Sequence, residues 1–251
     1  LRLRVLATGS KGNCYLLQSD DGHTVVLDAG VAASIIQRAV GYKTAYLDGV
    51  LVTHEHQDHM KSARDLATRG IPVWMTAGTM FGTSFPYGSD THPVAIACGG
   101  GYSAFDLGGW RVLPFPTQHD AVEPVGYLLT NWMTNVLYAT DTFYLKYKFV
   151  GLTHIIIECN YCTDILYRNI ENGLVDPAMK KRLLNSHFSL ENVISFLRST
   201  NLTKCVKIVL VHLSAGNSDA KRMVSEVLEA TGVDTVAAEA GMDIDLNLTP
   251  F

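Results

Sequence analysis

Four short apolar runs in this chain stop at a histidine or an aspartate, and no other feature narrows the fold so far. "DGVLV" leads through Thr53 to His54, "VLPFPTQ" to His119, "NVLYAT" to Asp141 and "VKIVLV" to His212. Short β-branched and aliphatic runs of this kind read as strands buried inside a sheet. A single polar residue after a strand is ordinarily a turn residue or a satisfied core imidazole. The same arrangement in four separate segments asks for a common cause, and a metal centre at the strand ends supplies one.

The first segment is the richest: His54-Glu55-His56-Gln57-Asp58-His59. In an extended stretch, residues i and i+2 share a face, so His54 and His56 can clasp one ion. Entry into a helix then turns Asp58 and His59 toward a neighbouring position. One segment can thus serve two metals, which in hydrolytic sites sit roughly 3.5–4 Å apart. Histidine nitrogen and carboxylate oxygen, with no obligatory cysteine, suit zinc and also manganese or iron.

The rest of the chain alternates strands with a few helices. "LRLRVLAT", "CYLLQ", "HTVVLDAG", "IPVWMTA", "GWRVLPFPTQH", "VGYLLTN", "HIIIECN" and "VDTVAAEAGMDIDLNL" have strand character, with "SDDG" a hairpin turn. "VAASIIQRAV" reads as a helix. "DHMKSARDLATRG" reads as one amphipathic helix with Asp58 near its start and Gly70 at C′. "LENVISFLRST" is a helix capped by Ser189, and "DAKRMVSEVLEATG" a helix ended by Gly232. The stretch from Gly78 to Gly101 reads as loop-bearing. No linker or repeat interrupts the 251 residues, so one α/β domain over 1–251 is expected, two sheets with helices outside. Hydrophobic residues at 47% suffice for a sizeable core.

A formal net charge of -4 argues against a broad, charge-driven grip on nucleic acid. It leaves room for a phosphate-processing enzyme, because bound cations reverse the local sign. Five cysteines, an odd number in a large chain, do not make a disulfide framework. Cys159-Asn-Tyr-Cys162 lacks the second pair of a zinc ribbon and reads as two reduced thiols. No secretory leader pattern opens "LRLRVLATGS" and no apolar run approaches membrane-spanning length, so a cytoplasmic protein without a membrane partner is expected. Nothing in the pattern selects a monomer over a dimer. Lys180-Lys181-Arg182 reads as a solvated face. Phe143, Tyr144 and Tyr161 suit base stacking and core packing equally, and His23, His92 and His154 receive no role.

H-x-H-x-D-H followed by a later His, Asp and His resembles the metallo-β-lactamase superfamily, over nearly the whole chain. The resemblance implies a four-layer αββα sandwich, two mixed β-sheets with helices on the outer faces and the site at one edge between the sheets. It implies two divalent transition-metal ions. His54, His56 and His119 would hold the first, Asp58, His59 and His212 the second, and Asp141 would bridge them. Asp28, in "VVLDAG", matches the family's early aspartate, which supports the metal-binding loop. "TGSKGNCYLL", "VTHEHQDH", "PFPTQHDAVEPVGYLL", "YATDT", "IECN", "NSHFSLENV" and "VHLSAGN", in that order, are similar to the YycJ/WalJ-type exonucleases. That branch implies a substrate-side His187, donating a proton to the leaving oxygen or holding a phosphate oxygen. Tyr161 departs from it, standing where the branch normally carries His.

Glu158 and Asn160 are expected to orient ligands from behind, and Ser10 and Asn13 to line the site rim. The function expected is a dinuclear metal-dependent hydrolase, a phosphodiesterase or exonuclease-like nuclease acting on nucleic acid or a nucleotide. Its nucleophile would be a hydroxide bridging the metals and oriented by Asp58. A small-molecule hydrolase, of cyclic nucleotides, lactones or thioesters, is the alternative. A non-catalytic binding module is disfavoured by the complete ligand set.

Overall fold

The computed structural model describes residues 1–83, 85, 91–94 and 100–247. Part of the loop-bearing stretch expected between Gly78 and Gly101, with Cys98, lies outside the described residues. Its first half runs β1 (Arg2–Ala7), β2 (Cys14–Gln18), β3 (Thr24–Leu27), α1 (Ala33–Ala39), β4 (Gly49–Leu51), α2 (Gln57–Met60), α3 (Ala63–Ala67), β5 (Val73–Met75), α4 (Ala77–Phe81), β6 (Thr91–Pro93), β7 (Phe105–Leu107) and β8 (Trp110–Pro116). There follow β9 (Val125–Thr130), β10 (Asn135–Ala139), β11 (His154–Glu158), α5 (Thr163–Glu171), α6 (Pro177–Ser186), α7 (Leu190–Arg198), β12 (Lys207–Val211), α8 (Ala220–Thr231), β13 (Thr235–Ala237) and β14 (Asp243–Asp245). The chain forms two compact units. One comprises Leu1–Pro116, Ala121–Asn131 and Glu239–Phe251; the other Thr117–Asp120 and Trp132–Ala238.

In the first unit, seven strands lie in the order β14-β1-β2-β3-β4-β5-β6. Pairing is antiparallel from β14 to β3 and parallel from β3 to β6. β2 and β3 can be antiparallel neighbours because the Ser19–His23 turn is tight: Ser19 N–H donates to His23 O and Gly22 N–H to Ser19 O. The parallel strands are covered on both faces, so Val25, Val26, Leu27, Val50 and Leu51 are all buried. Leu16, Val26, Val50 and Val73 pack with Ile36 of α1 and Ala63 and Leu66 of α3. Strands β7, β8 and β9 of the same unit run as an antiparallel meander outside that sheet. Gly108 and Gly109 join its first two strands with φ of 54° and 75°, the backbone a two-residue hairpin turn requires.

The single helix expected after Asp58 is two, α2 and α3, and the break has a physical cause. An unbroken helix would send Ser62 N–H to Asp58 O. Instead Asp58 O accepts Asn13 N–H at 2.7 Å, His59 O accepts Ala29 N–H at 2.6 Å, and Ser62 N–H donates to Ala29 O at 2.9 Å. The ladder is exchanged for bonds to distant backbone. The approach is so close that a Cβ on Gly30 would lie 1.8 Å from Asp58 O.

In the second unit, β10, β11, β12 and β13 are all parallel. α5, α6 and α7 lie between β11 and β12, and α8 between β12 and β13. Ser189 caps α7, its Oγ accepting from Asn192 N–H, and Asp219 caps α8, which ends at Gly232 in the left-handed region with φ of 70°. Helices α4, α5 and α6 were not expected from the sequence. α6 mixes polar and apolar residues without a clean stripe and rests on helix formers such as Met, Lys, Arg and Leu. Because β10, β11 and β12 point the same way, their C-terminal ends lie side by side. That edge of a parallel sheet is where functional loops emerge.

Candidate metal centre

In the first unit, β4 hands the chain to Thr53, the hub of the local network. Thr53 N–H donates to Asp28 Oδ1 at 2.9 Å, and its hydroxyl lies 3.0 and 3.1 Å from the two Asp28 carboxylate oxygens. The same hydroxyl is 3.0 Å from His54 Nδ1. Asp28 Oδ2 faces His59 Nδ1 at 2.9 Å. A carboxylate cannot donate, so it holds the proton on Nδ1 and leaves Nε2 as the lone-pair nitrogen, the form a metal needs. Asn13 adds to this: its Oδ1 accepts Gly9 N–H, which aims Nδ2 at His59 Nε2, 3.1 Å away. His54 Nε2 and His56 Nδ1 converge to 3.1 Å, and Asp58 Oδ2 lies 3.6 Å from His59 Nε2.

In the second unit, Asp141, Glu158 and His212 stand at the ends of β10, β11 and β12, and His187 sits between α6 and α7. One ligand atom from each of these four lies within 4.8 Å of the others. Glu158 is fully buried. Its Oε1 is 2.6 Å from His187 Nδ1 and 3.1 Å from His212 Nδ1, while Oε2 accepts Thr142 N–H and Phe188 N–H. Asp141 Oδ1 is 3.6 Å from His212 Nε2, and Oδ2 is 3.5 Å from His119 Nε2. His119 Nδ1 donates to the Ser186 carbonyl at 2.9 Å, which again frees Nε2 as the lone-pair nitrogen. Asn160 Nδ2 donates to His212 O at 2.9 Å and braces that turn.

These environments shift the titrations. Burial pulls His119 below the ordinary histidine value against the pull of Asp141. Burial also opposes charge on His187, but the Glu158 carboxylate in contact with it prevails and raises its pKa. Burial would raise Glu158, yet the charge of His187 outweighs it and the pKa falls. Tyr161, where the resembling branch carries His, is buried, and burial followed by Glu191 and Glu158 pushes its phenol up to about 12. It stays neutral and exchanges no proton near neutrality.

Three of these residues sit on left-handed backbone: Asp28, Asp141 and His212 have φ of 56°, 47° and 55°. Non-glycine residues there cost on the order of 1–3 kcal/mol each and cluster at functional sites. Converging imidazole nitrogens and carboxylate oxygens, with tautomers fixed from behind, are the donor set for a divalent transition metal. The residues present fit such an ion.

Each expected site residue thus has a location. His54, His56, Asp58 and His59 gather in the first unit with Asp28 behind them. His119, Asp141, His187 and His212 gather in the second around Glu158, with Asn160 behind. Ser10 is exposed on the glycine turn. Asn13 is a correction: it is fully buried, not on a rim, because its amide is consumed by Gly9, the Asp58 carbonyl and His59. Sequence reasoning missed Thr53 and Asp120. Asp120 Oδ1 lies 3.4 Å from His119 Nε2 and accepts the Ser186 hydroxyl at 3.1 Å, while Oδ2 takes Arg182 Nε at 3.0 Å. Adjacency to His119 in "TQHD" was the available signal. Arg182 thus pairs with Asp120 from a side chain that stays largely exposed. His23 pairs with Asp48, and His154 is buried beside Thr153, away from the clusters.

Comparison with known proteins bears on the family and the fold. The chain is 29% identical over 248 residues to exodeoxyribonuclease YycJ of Bacillus anthracis, covering 92% of this chain and 90% of the relative. It is 28% identical over 258 residues to exodeoxyribonuclease WalJ of Streptococcus pneumoniae serotype 2, covering 97% and 91%. The metallo-beta-lactamase fold protein YhfI from Bacillus subtilis matches with a TM-score of 0.70 at 16% identity, covering 97% of this chain and 98% of that one. The fold is α/β, with two mixed β-sheets and helices, of the metallo-β-lactamase type. Residues 23–213 match the beta-lactamase superfamily domain, and with that match running through both units, the chain belongs to the metallo-β-lactamase superfamily of hydrolases.

Proposed function

We propose that residues 1–251 act as one metal-dependent phosphodiesterase domain, an exonuclease-like enzyme on nucleic acid. The observation that carries this reading is His187. It is not among the seven metal ligands we propose, His54, His56, Asp58, His59, His119, Asp141 and His212. Yet it lies 3.9 Å from Asp141 and is gripped at 2.6 Å by a buried carboxylate that favours its charged form. An imidazolium held beside a metal ligand suits a substrate whose leaving oxygen needs a proton. Similarity to two exodeoxyribonucleases over most of the chain supports the same reading.

When bound, two divalent ions, zinc first and manganese or iron in its place, supply Lewis acidity and a more acidic water. The protein's own groups do the rest. Asp28 and the Ser186 carbonyl set the tautomers of His59 and His119. Asp58 orients the attacking water. Glu158 holds His187 through Nδ1, so the proton on the other ring nitrogen can pass to the leaving oxygen. The free thiols of Cys14, Cys159, Cys162 and Cys205 suit a reducing, cytoplasmic setting. Among the described residues no helix is long and apolar enough to cross a membrane.

The test is a hydrolysis panel on metal-loaded protein: bis-p-nitrophenyl phosphate, end-labelled DNA and RNA, cyclic nucleotides and a lactone. Phosphodiester turnover without lactone turnover is expected; the reverse ends the proposal. His187→Ala should keep its metal and lose roughly 10²–10⁴-fold in turnover. The loss should shrink with p-nitrophenolate, which leaves without a proton. The net charge of -4 favours a second reading, a small cyclic phosphodiester, since a long polyanion would be repelled more. Cyclic-nucleotide turnover with inert polymers would select it.

A further inference from the structure

The chain between Asp141 and Glu158 contains no acidic residue, and its first part reads Thr142-Phe-Tyr-Leu-Lys-Tyr-Lys-Phe-Val150. In a chain with 24 acidic residues against 20 Lys and Arg, this is a local positive segment. It begins one residue after a proposed metal ligand. Its burial alternates: Leu145 and Phe149 are buried, while Tyr144, Lys146, Lys148 and Val150 are exposed. That is the pattern of a strap whose alternate side chains face solvent.

The strap is pinned. Thr142 N–H donates to Glu158 Oε2 at 3.0 Å, Gln118 N–H donates to Thr142 Oγ1 at 2.9 Å, and Phe143 N–H donates to Gln118 O at 3.2 Å. At the far end the Phe149 ring meets Phe196 of α7 edge-on, centroids 6.4 Å apart. Between these anchors Tyr144 is 56% exposed. Lys146 Nζ lies over the Tyr147 ring at 5.2 Å. Among the described residues neither Lys146 nor Lys148 has a carboxylate within ion-pair distance. The seven residue-to-residue steps from Asp141 to Lys148 span at most roughly 25 Å, a few nucleotides of single strand.

We propose that this strap is a single-stranded nucleic-acid track, with Tyr144 as a stacking platform for a base and Lys146 and Lys148 as contacts to successive phosphates. The proposal rests on the phosphodiesterase reading and sharpens it to a polymer with an unpaired end. An aromatic platform flanked by cations is the combination that grips single strands without reading sequence. It also answers the charge objection, because the polyanion meets the two lysines and not the average surface. A cyclic nucleotide is too small to reach along it.

The experiment measures anisotropy of a labelled, cleavage-resistant phosphorothioate oligothymidylate on metal-loaded protein, alongside turnover of bis-p-nitrophenyl phosphate. Lys146→Ala/Lys148→Ala should weaken strand binding and flatten the log–log salt slope by about 1.4, at roughly 0.7 per phosphate contact. Tyr144→Ala should weaken binding on the order of tenfold and Tyr144→Trp should restore it. Small-substrate turnover should stay within about twofold in all three, by contrast with the transition-state losses expected of a catalytic group. Strand affinity and salt slope unchanged in the variants, or no strand binding by the wild type, overturns the track. Strand binding that depends on the strap, without phosphodiester turnover, keeps the track and sinks the phosphodiesterase reading. Turnover without strand binding does the opposite.

Discussion

Asp28 acts on two neighbours, Thr53 and His59. Its carboxylate spans Thr53 and His59 from a left-handed backbone position, and what it fixes is where a single proton sits. Asn tolerates that backbone and has nearly the same shape. Asp28→Asn should therefore leave the fold intact, but its amide N–H would face His59 Nδ1 and drive the proton to Nε2. Metal affinity should fall roughly 10–100-fold, the usual effect of losing such a partner. Titration with a chromophoric zinc chelator reads this directly, and an unchanged affinity removes Asp28 from the role. The aspartate itself was legible from "VVLDAG", as was each metal-ligand candidate at a strand end. Thr53 was not, since a threonine before a histidine carries no signal until the chain folds back on residue 28. The contact of Glu158 with two histidines was not legible either, since it needs α6 and α7 to bring His187 back to β11.

At the scale of elements, sequence pattern and structure agree where burial on both faces makes the middle of a strand apolar, as in Ile155–Ile157 of β11 and Ile208–Val211 of β12. The capped helices α7 and α8 were equally plain, because Ser189, Asp219 and Gly232 are local signals. The α2–α3 break was hidden, because the groups that steal its carbonyls lie at residues 13 and 29. Gly30→Ala tests that account. The added carbon would fall 1.8 Å from the Asp58 oxygen, so backbone must shift, at a cost of roughly 3 kcal/mol. A chain of this size should lose about 6–12 °C in Tm. Gly216→Ala is the control, with nothing within 4 Å of its Cβ, and should cost under about 0.5 kcal/mol. Equal, small effects of both would mean that the close approach does not constrain the loop.

For the whole molecule, a bound metal adds its binding energy to folding by mass action. At a free concentration of about 100 Kd the gain is roughly 2.7 kcal/mol, so chelation should lower Tm by about 5–11 °C, and reconstitution should restore it with more than one equivalent of metal by elemental analysis. A Tm indifferent to chelator, with only trace metal after reconstitution, would end the enzyme reading too. The broken helix also bears on how this chain can be cut and moved. A fragment beginning at residue 31 would still encode all seven proposed ligands, and the family match itself begins only at residue 23. Such a fragment would lack the Asn13 and Ala29 amides that hold the Asp58 and His59 carbonyls off the helical path. Freed of them, the stretch from Gln57 to Ala67 would close its own ladder into one continuous helix, and the ligands would be present with their spacing lost. The histidine motif is thus not a portable cassette: its working shape is inherited from the amino-terminal hairpin, and transplanting it into another scaffold means carrying that hairpin along.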